Sequence, residues 1–236
     1  MEIALFSDIH ANLTAFDAVV KHCFNRYGKE IPIIHIGDCI DYGMRPNEVI
    51  ERMYALKEQM LANIKGNHEA AILGVEANRF SSDRGYKANL YTKTILKPSS
   101  WNFIKEMQES SFVLRIADKN ILVVHGDLSD VRWGKMIEKE KLSEVYDQYD
   151  YVISGHTHIS SLFYKINKET HKKTIFINPG SIGQPRNCNI NAQYAILNIK
   201  TGAVDFEAIP YDYGYEQSLY NNSIDDYYKR RLSIGI

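Results

Sequence analysis

Short clusters of oxygen and imidazole donors recur along the chain: Asp8-Ile9-His10, Asp38 with Asp41, Asn67-His68-Glu69, His125, and His156-Thr157-His158. Asp8, His10, Asp38, Asn67, His125, His156 and His158 form a donor set without thiolate. Such a set suits borderline or hard divalent ions, with manganese favoured and iron, zinc, cobalt or nickel as alternatives. Seven ligands serve two ions if one carboxylate bridges. Two ions about 3.5–4 Å apart clamp a phosphoryl group and bring the pKa of a bridging water toward neutrality, which is the equipment for phosphoester hydrolysis by in-line attack. His68, beside Asn67, is the natural general acid for the leaving oxygen, and Asp41 is placed to orient its other nitrogen. Asn67 would bind metal through its amide oxygen and leave its NH₂ for a phosphate oxygen. In the Gly-rich segment from Asn178 to Arg186, Arg186 can pair bidentately with phosphate.

Each cluster follows a short apolar run, and the runs dictate the architecture. Ala4–Ser7, Ile33–Ile36, Leu61–Lys65, Ile121–Val124 and Val152–Ser154 read as buried strands, each delivering donors at its end. Ligands of open α/β sheets bind outside the carboxyl ends of strands, so all the clusters fall at one rim. About 30 residues separate Asp8 from Asp38, Asp38 from Asn67, and His125 from His156, close to one strand-helix-strand unit. Asn12 is placed to cap a helix with Leu13, Phe16, Val20 and Phe24 on one face, and Pro46 opens a second helix carrying Val49, Ile50, Met53 and Leu56. Residues 70–110 have helical character around 86–96 and 99–107 and interrupt the strand rhythm, as a packing layer or as a helical cap over the site. Residues 112–117 and 121–124 read as a hairpin turning at 118–120. Residues 135–149 read as a helix with Met136, Ile137, Leu142 and Val145 on its face. The strands at 162–166, 174–177, 194–199 and 204–209 predict a second sheet of antiparallel hairpins. The chain thus divides into one domain over 1–210 and a Tyr-rich tail, 211–236, packed on it.

With 28 basic and 29 acidic residues among 236, the formal charge of -1 gives no reason to expect a nucleic-acid surface. Three cysteines, Cys23, Cys39 and Cys188, show no CxxC spacing and favour a reducing compartment. No apolar run reaches the roughly 20 residues of a spanning helix, so a cytoplasmic protein without membrane partners is expected. Oligomeric state is left open. His22, His35 and His171 fall outside the clusters and are expected to be structural or solvated.

Taken together, Asp-x-His, Gly-Asp-x-x-Asp, Gly-Asn-His-Glu, a lone His and Gly-His-x-His resemble the pattern of the calcineurin-like metallophosphoesterase superfamily over residues 1–186. Ser-Asp-Ile-His-Ala-Asn at the start and Asn-Pro-Gly-Ser-Ile-Gly-Gln-Pro-Arg late in the chain resemble its small prokaryotic phosphodiesterase-like branch. The resemblance implies an α/β fold, a four-layer α/β/β/α sandwich of two mixed sheets flanked by helices. It further implies that Asp8, His10 and His158 hold a first ion, that Asn67, His125 and His156 hold a second, and that Asp38 bridges. Protein Ser/Thr phosphatases of the superfamily carry an Arg after the second Asp and Gly-Gly after the lone His, where this chain has Tyr42 and Asp127. Arg45 and Arg186 are the candidate replacements for that arginine.

These readings converge on a dinuclear metal-dependent phosphodiesterase for a small or nucleotide-like substrate. The alternatives are a phosphomonoesterase or protein phosphatase, a nuclease, disfavoured by the charge balance, and a non-catalytic metal-binding scaffold.

Overall fold

In the computed structural model, which describes residues 1–137 and 142–236, the first apolar run forms β1 (Glu2–Phe6). Ile3 and Leu5 face one way and Ala4 and Phe6 the other, and all four are buried. A strand buried on both faces needs an apolar layer on each side. The chain supplies one with α1 (Leu13–Tyr27), where the Asn12 carboxamide oxygen accepts from the Ala15 N–H at 3.1 Å, as the sequence predicts. β2 (Ile33–His35) returns parallel to β1, α2 (Pro46–Tyr54) opens on Pro46, and β3 (Met60–Asn63) extends the sheet in parallel. The short α3 (Asn67–Ile72) follows, then α4 (Asp83–Ile95) and α5 (Pro98–Glu106).

The segment 70–110 divides its work. Leu96 and, from α5 and its end, Phe103, Ile104 and Met107 join the apolar cluster covering the first sheet, whereas α4 turns Asn89 toward Asp41.

β4 (Ser111–Ile116) and β5 (Lys119–Val124) form the expected hairpin, with its turn at Ala117-Asp118 rather than 118–120. Both turn residues have positive φ, 47° and 66°, the two-residue geometry whose twist matches paired strands. The helix expected over 135–149 does not form as read. Residues 135–137 are irregular, a 3-10 turn spans Glu144–Gln148, and the part of the expectation on 138–141 lies outside the described residues. Ile137 and Val145 are half exposed while Met136 and Tyr146 are buried, so no single helical face covers the core.

β6 (Tyr151–Ser154), β7 (Ser161–Ile166), β8 (Lys173–Asn178), β9 (Ala192–Asn198) and β10 (Val204–Ile209) complete two five-stranded mixed sheets. Their orders are β10-β9-β1-β2-β3 and β4-β5-β6-β8-β7. The late hairpins therefore do not build a sheet of their own: β7–β8 joins the second sheet, and β9–β10 returns to the first, antiparallel to β1. Between the sheets lie Ile3, Leu5, Ile34, Ile36, Ile121, Val123, Ile153, Ile177 and Leu197. Each such side chain contributes about 1.5–3 kcal/mol by leaving water. This dry layer fixes the sheets against one another, and the functional side chains stand at its rim.

From residue 211 the chain forms α6 (Tyr213–Ser218) and α7 (Asp226–Arg231). Tyr228 of α7 stacks on Tyr42, ring centres 4.1 Å apart and planes 13° from parallel. No helix among the described residues is long and apolar enough to cross a membrane.

Candidate metal centre

The donor-bearing positions leave the strand conformation abruptly. Asp8, His10, Asp38, Asp41, His156 and His158 all have φ between 48° and 66°, in the left-handed region. For residues other than glycine this costs roughly 1–2 kcal/mol each, so the surrounding structure must impose it. Its effect is to turn side chains that would alternate across the pleat toward one point. Close backbone approach completes the turn: a Cβ on Gly66 would lie 2.0 Å from Asp38 Oδ1.

One ligand atom from each of Asp8, His10, Asp38 and His158 lies within 4.8 Å of the others, and Asp38, His125 and His156 form a second such group. Asn67 faces the second group, its Oδ1 lying 3.0 Å from both His125 Nε2 and His156 Nδ1. Asp38 is common to both. The structure therefore brings all seven expected donors together, from the ends of β1, β2 and β3 in one sheet and β5 and β6 in the other.

What fits these groups to cations is how their remaining atoms are used. His10 Nδ1–H donates to the Ile40 carbonyl (3.0 Å), His125 Nδ1–H to Ile36 (2.7 Å) and His158 Nδ1–H to Gln184 (2.6 Å). A carbonyl can only accept, so each Nδ1 carries a proton and Nε2 is the inward atom: a bare lone pair on the neutral His10 and His158 rings, and on His125 the atom that would exchange its proton for a cation. The Nε2 atoms of His10 and His158 then stand 3.1 Å apart, lone pair against lone pair. The carboxylates are arranged alike. Asp8 Oδ2 accepts from the Ser7 hydroxyl (2.5 Å) and the His156 N–H (3.2 Å), while its buried Oδ1 has no hydrogen-bond partner and lies 3.2 Å from His158 Nε2. Asp38 Oδ1 accepts from the His68 N–H (3.0 Å), and its Oδ2 faces His125 Nε2 at 3.2 Å and His10 Nε2 at 3.9 Å. Buried acceptors aimed at one another lack partners unless a cation stands among them.

The proton equilibria follow the same geometry. Burial, reinforced by neighbouring His158 and His68, holds His10 well below the usual imidazole range. Burial and the Arg186 charge do the same for His158. Burial and the charge on His125 bring His156 down to about 4. His125 goes the other way: burial opposes its charge, but the adjacent Asp38 carboxylate overcomes this and raises it to about 9.

His68 lies beside this centre. Its Nδ1–H donates to Asp41 Oδ2 at 2.6 Å, and its Nε2 points toward Asp38 Oδ2 at 3.9 Å. Burial lowers its proton affinity, but Asp38, and then the bond to Asp41, outweigh it, so the ring is raised above its ordinary value. Arg186 lines a cleft of about 460 Å³ beside His156, with Ile159, Leu162 and Phe163 as its apolar wall. Arg45 does not meet the role expected of it. Its guanidinium donates to Thr14 Oγ1 (2.6 Å) and to the fully buried carboxylate of Glu216 from α6, and so ties the tail to α1.

Three contributors escaped sequence reasoning. Glu69 was visible only as the end of the Gly-Asn-His-Glu motif. Its Oε2 accepts from the Asp38 and Gly66 N–H groups (2.9 and 2.8 Å) and its Oε1 from Cys39 and Ile40 (2.8 and 3.3 Å), so it holds the turn that presents Asp38. Asn89 donates to Asp41 Oδ2 (2.7 Å) and to the His68 carbonyl (3.1 Å), with no signal beyond its place on a helix. Tyr42 packs against both His10 and His68, its ring centre 4.5 and 4.6 Å from theirs.

A family model for the calcineurin-like phosphoesterase superfamily domain matches residues 1–202. The chain is 29% identical over 245 residues to an uncharacterised protein of Methanocaldococcus jannaschii, covering 99% of this chain and 98% of the relative. Among solved structures, a metallophosphoesterase from Sphaerobacter thermophilus matches with a TM-score of 0.77 at 22% identity, covering 100% of both chains. A hypothetical protein from Pyrococcus horikoshii matches with a TM-score of 0.83 at 18% identity, over 100% of this chain and 98% of that one. At these identities the structural likeness speaks for the fold: two mixed sheets flanked by helices.

Proposed function

The chain belongs to the calcineurin-like phosphoesterase superfamily, and from that premise we propose that it is a dinuclear phosphodiesterase using divalent ions, with manganese favoured. Asp8, His10 and His158 would hold one ion, Asn67, His125 and His156 the other, with Asp38 shared. The observation that carries this reading is the pattern of satisfaction. The bonds to Ile40, Ile36 and Gln184 turn three imidazole Nε2 atoms inward, and one oxygen each of Asp8 and Asp38 is left facing them. When bound, such a pair of ions supplies positive charge to a phosphoryl oxygen and acidifies water.

The rest of the chemistry belongs to this chain. His68 carries the proton for the leaving oxygen on Nε2, because Nδ1–H is committed to Asp41 and the two carboxylates favour the imidazolium. Asn89 donates to the same Asp41 oxygen that accepts from His68 and also to the His68 carbonyl, and so helps fix the ring's orientation. Arg186, which lines the cleft with His156, would pair with a non-bridging phosphoryl oxygen. The largely apolar cleft next to it supports a diester over a monoester, since it offers an organic second substituent a surface to bury.

The test combines metal content with turnover. Loaded with Mn²⁺ and dialysed, the protein should retain about two ions per chain by elemental analysis and hydrolyse bis-p-nitrophenyl phosphate faster than p-nitrophenyl phosphate. His68→Asn should keep the ions and lose about 10²–10⁴ in kcat. One ion per chain, or turnover that survives chelation, overturns the dinuclear reading. A preference for the monoester overturns the substrate class.

A further inference from the structure

Two aromatic side chains at the mouth of the site serve no purpose in the mechanism above. Phe80 lies in the loop between α3 and α4, with its ring centre 5.1 Å from that of His68. Trp133 lies in the loop after β5, 6.2 Å from the ring of His156. The two rings meet edge to face, 5.3 Å apart at 87°. They form a continuous surface running from the proposed proton donor to a proposed metal ligand. Both rings are only partly buried, and neither belongs to any of the apolar clusters among the described residues.

The loops that carry them are pinned together by charge. Glu76 Oε2 accepts from Trp133 Nε1 (3.0 Å), Arg132 Nε (3.1 Å) and Arg79 Nη1 (3.2 Å), and Arg79 Nη2 reaches Asp130 at 2.5 Å. Arg79 also lies over the indole, 5.6 Å from its centre. A network linking two loops that leaves its rings outside the core fixes a surface for something other than the protein's own packing.

We propose that Phe80 and Trp133 form the subsite for the leaving alcohol of the ester, and that it selects a planar aromatic group, aryl or nucleoside, over an alkyl one. The inference rests on His68 being the proton donor. A proton delivered from His68 Nε2 goes to the leaving oxygen, so the substituent on that oxygen lies within a few ångströms of the imidazole. There Tyr42 is buried, so Phe80 is the partly exposed aromatic neighbour of the imidazole and Trp133 extends its surface; such rings bind flat π systems without requiring a particular hydrogen-bond pattern.

Two diesters with a common methyl group separate this subsite from general reactivity: methyl 4-chlorophenyl phosphate and methyl hexafluoroisopropyl phosphate, whose leaving alcohols are similar in acidity. The manganese-loaded enzyme should favour the aryl ester by at least about tenfold in kcat/KM, with most of the difference in KM. Trp133→Leu and Phe80→Leu, which keep apolar bulk without a ring, should bring that ratio toward one. Trp133→Phe, which restores a ring, should recover most of it. A wild-type ratio near one, or a preference unchanged in both leucine variants, overturns the subsite while leaving the hydrolase reading standing. Chelation-sensitive turnover of neither ester refutes the hydrolase reading and the subsite with it.

Discussion

Replacing Glu69 with glutamine tests how the site is held. The Glu69 side chain is wholly buried, and its two oxygens accept from four backbone N–H groups. An amide of the same shape keeps one oxygen and turns an NH₂ toward the other two donors, which leaves two buried N–H groups without acceptors. Each such loss costs about 1–3 kcal/mol, so Glu69→Gln should destabilise by roughly 2–6 kcal/mol. This is a large part of the about 5–15 kcal/mol that holds a domain together. For a chain of this size each kcal/mol lowers Tm by about 2–4 °C. Opposing this, burial, and then the neighbouring Asp38 charge, raise the proton affinity of Glu69. If that opposition left the carboxyl protonated in the fold, glutamine would imitate it and cost little. Thermal and urea unfolding of wild type and variant, each with excess Mn²⁺ and after chelation, separate the cases. A loss above about 2 kcal/mol, with turnover reduced as Asp38 shifts, supports a charged carboxylate as the anchor of the turn. A change within about 0.5 kcal/mol in both conditions refutes it.

Arg45→Ala should cost about 3–5 kcal/mol in urea unfolding, because it leaves the fully buried Glu216 unpaired, and adding Glu216→Gln should recover part of the loss; a neutral Arg45→Ala would remove this tie from the account of the tail. Gly183→Ala places a Cβ 1.8 Å from the Ile9 carbonyl oxygen, between Asp8 and His10. It should cost about 1–3 kcal/mol or more and reduce retained manganese, and an unchanged Tm by calorimetry would contradict the packing. Glu76 is held below its ordinary 4.5, first by the hydrogen bond from Arg132. Its contribution to loop pairing is therefore complete above about pH 4.5 and is lost as pH falls through the lower folded value. Trp133 emission should change in that acid window, and the same transition in Glu76→Gln would assign it elsewhere.

The sequence was most legible where one run of residues carried both structure and chemistry. The segments ending at Asp8, Asp38, Asn67, His125 and His156 each showed a strand and its donor together, and the structure brings those donors to one rim. Legibility failed where partners are distant in sequence. Nothing in the pattern of β9 marks β1 as its neighbour, because a strand buried on both faces looks the same in either sheet. At 135–149 the apolar spacing reads as a helix, yet among the described residues Met136 and Tyr146 go to the core while Ile137 and Val145 face solvent. Arg45 looked available for phosphate because its counter-charge, Glu216, lies far along the chain. Glu69 and Asn89 act through other residues, and a role of that kind becomes visible only when the residues they hold have been placed.

The seating of β1 between β2 and β9 also constrains how the molecule is made. During synthesis at about 5–20 residues per second, the strand at Glu2–Phe6 waits roughly 10–40 s for its antiparallel partner at Ala192–Asn198. All strands of the other sheet emerge within that interval. The nascent chain thus carries an open, strongly apolar edge until Ala192–Asn198 has left the ribosome. That edge is where a holdase would bind and where aggregation of truncated products would begin.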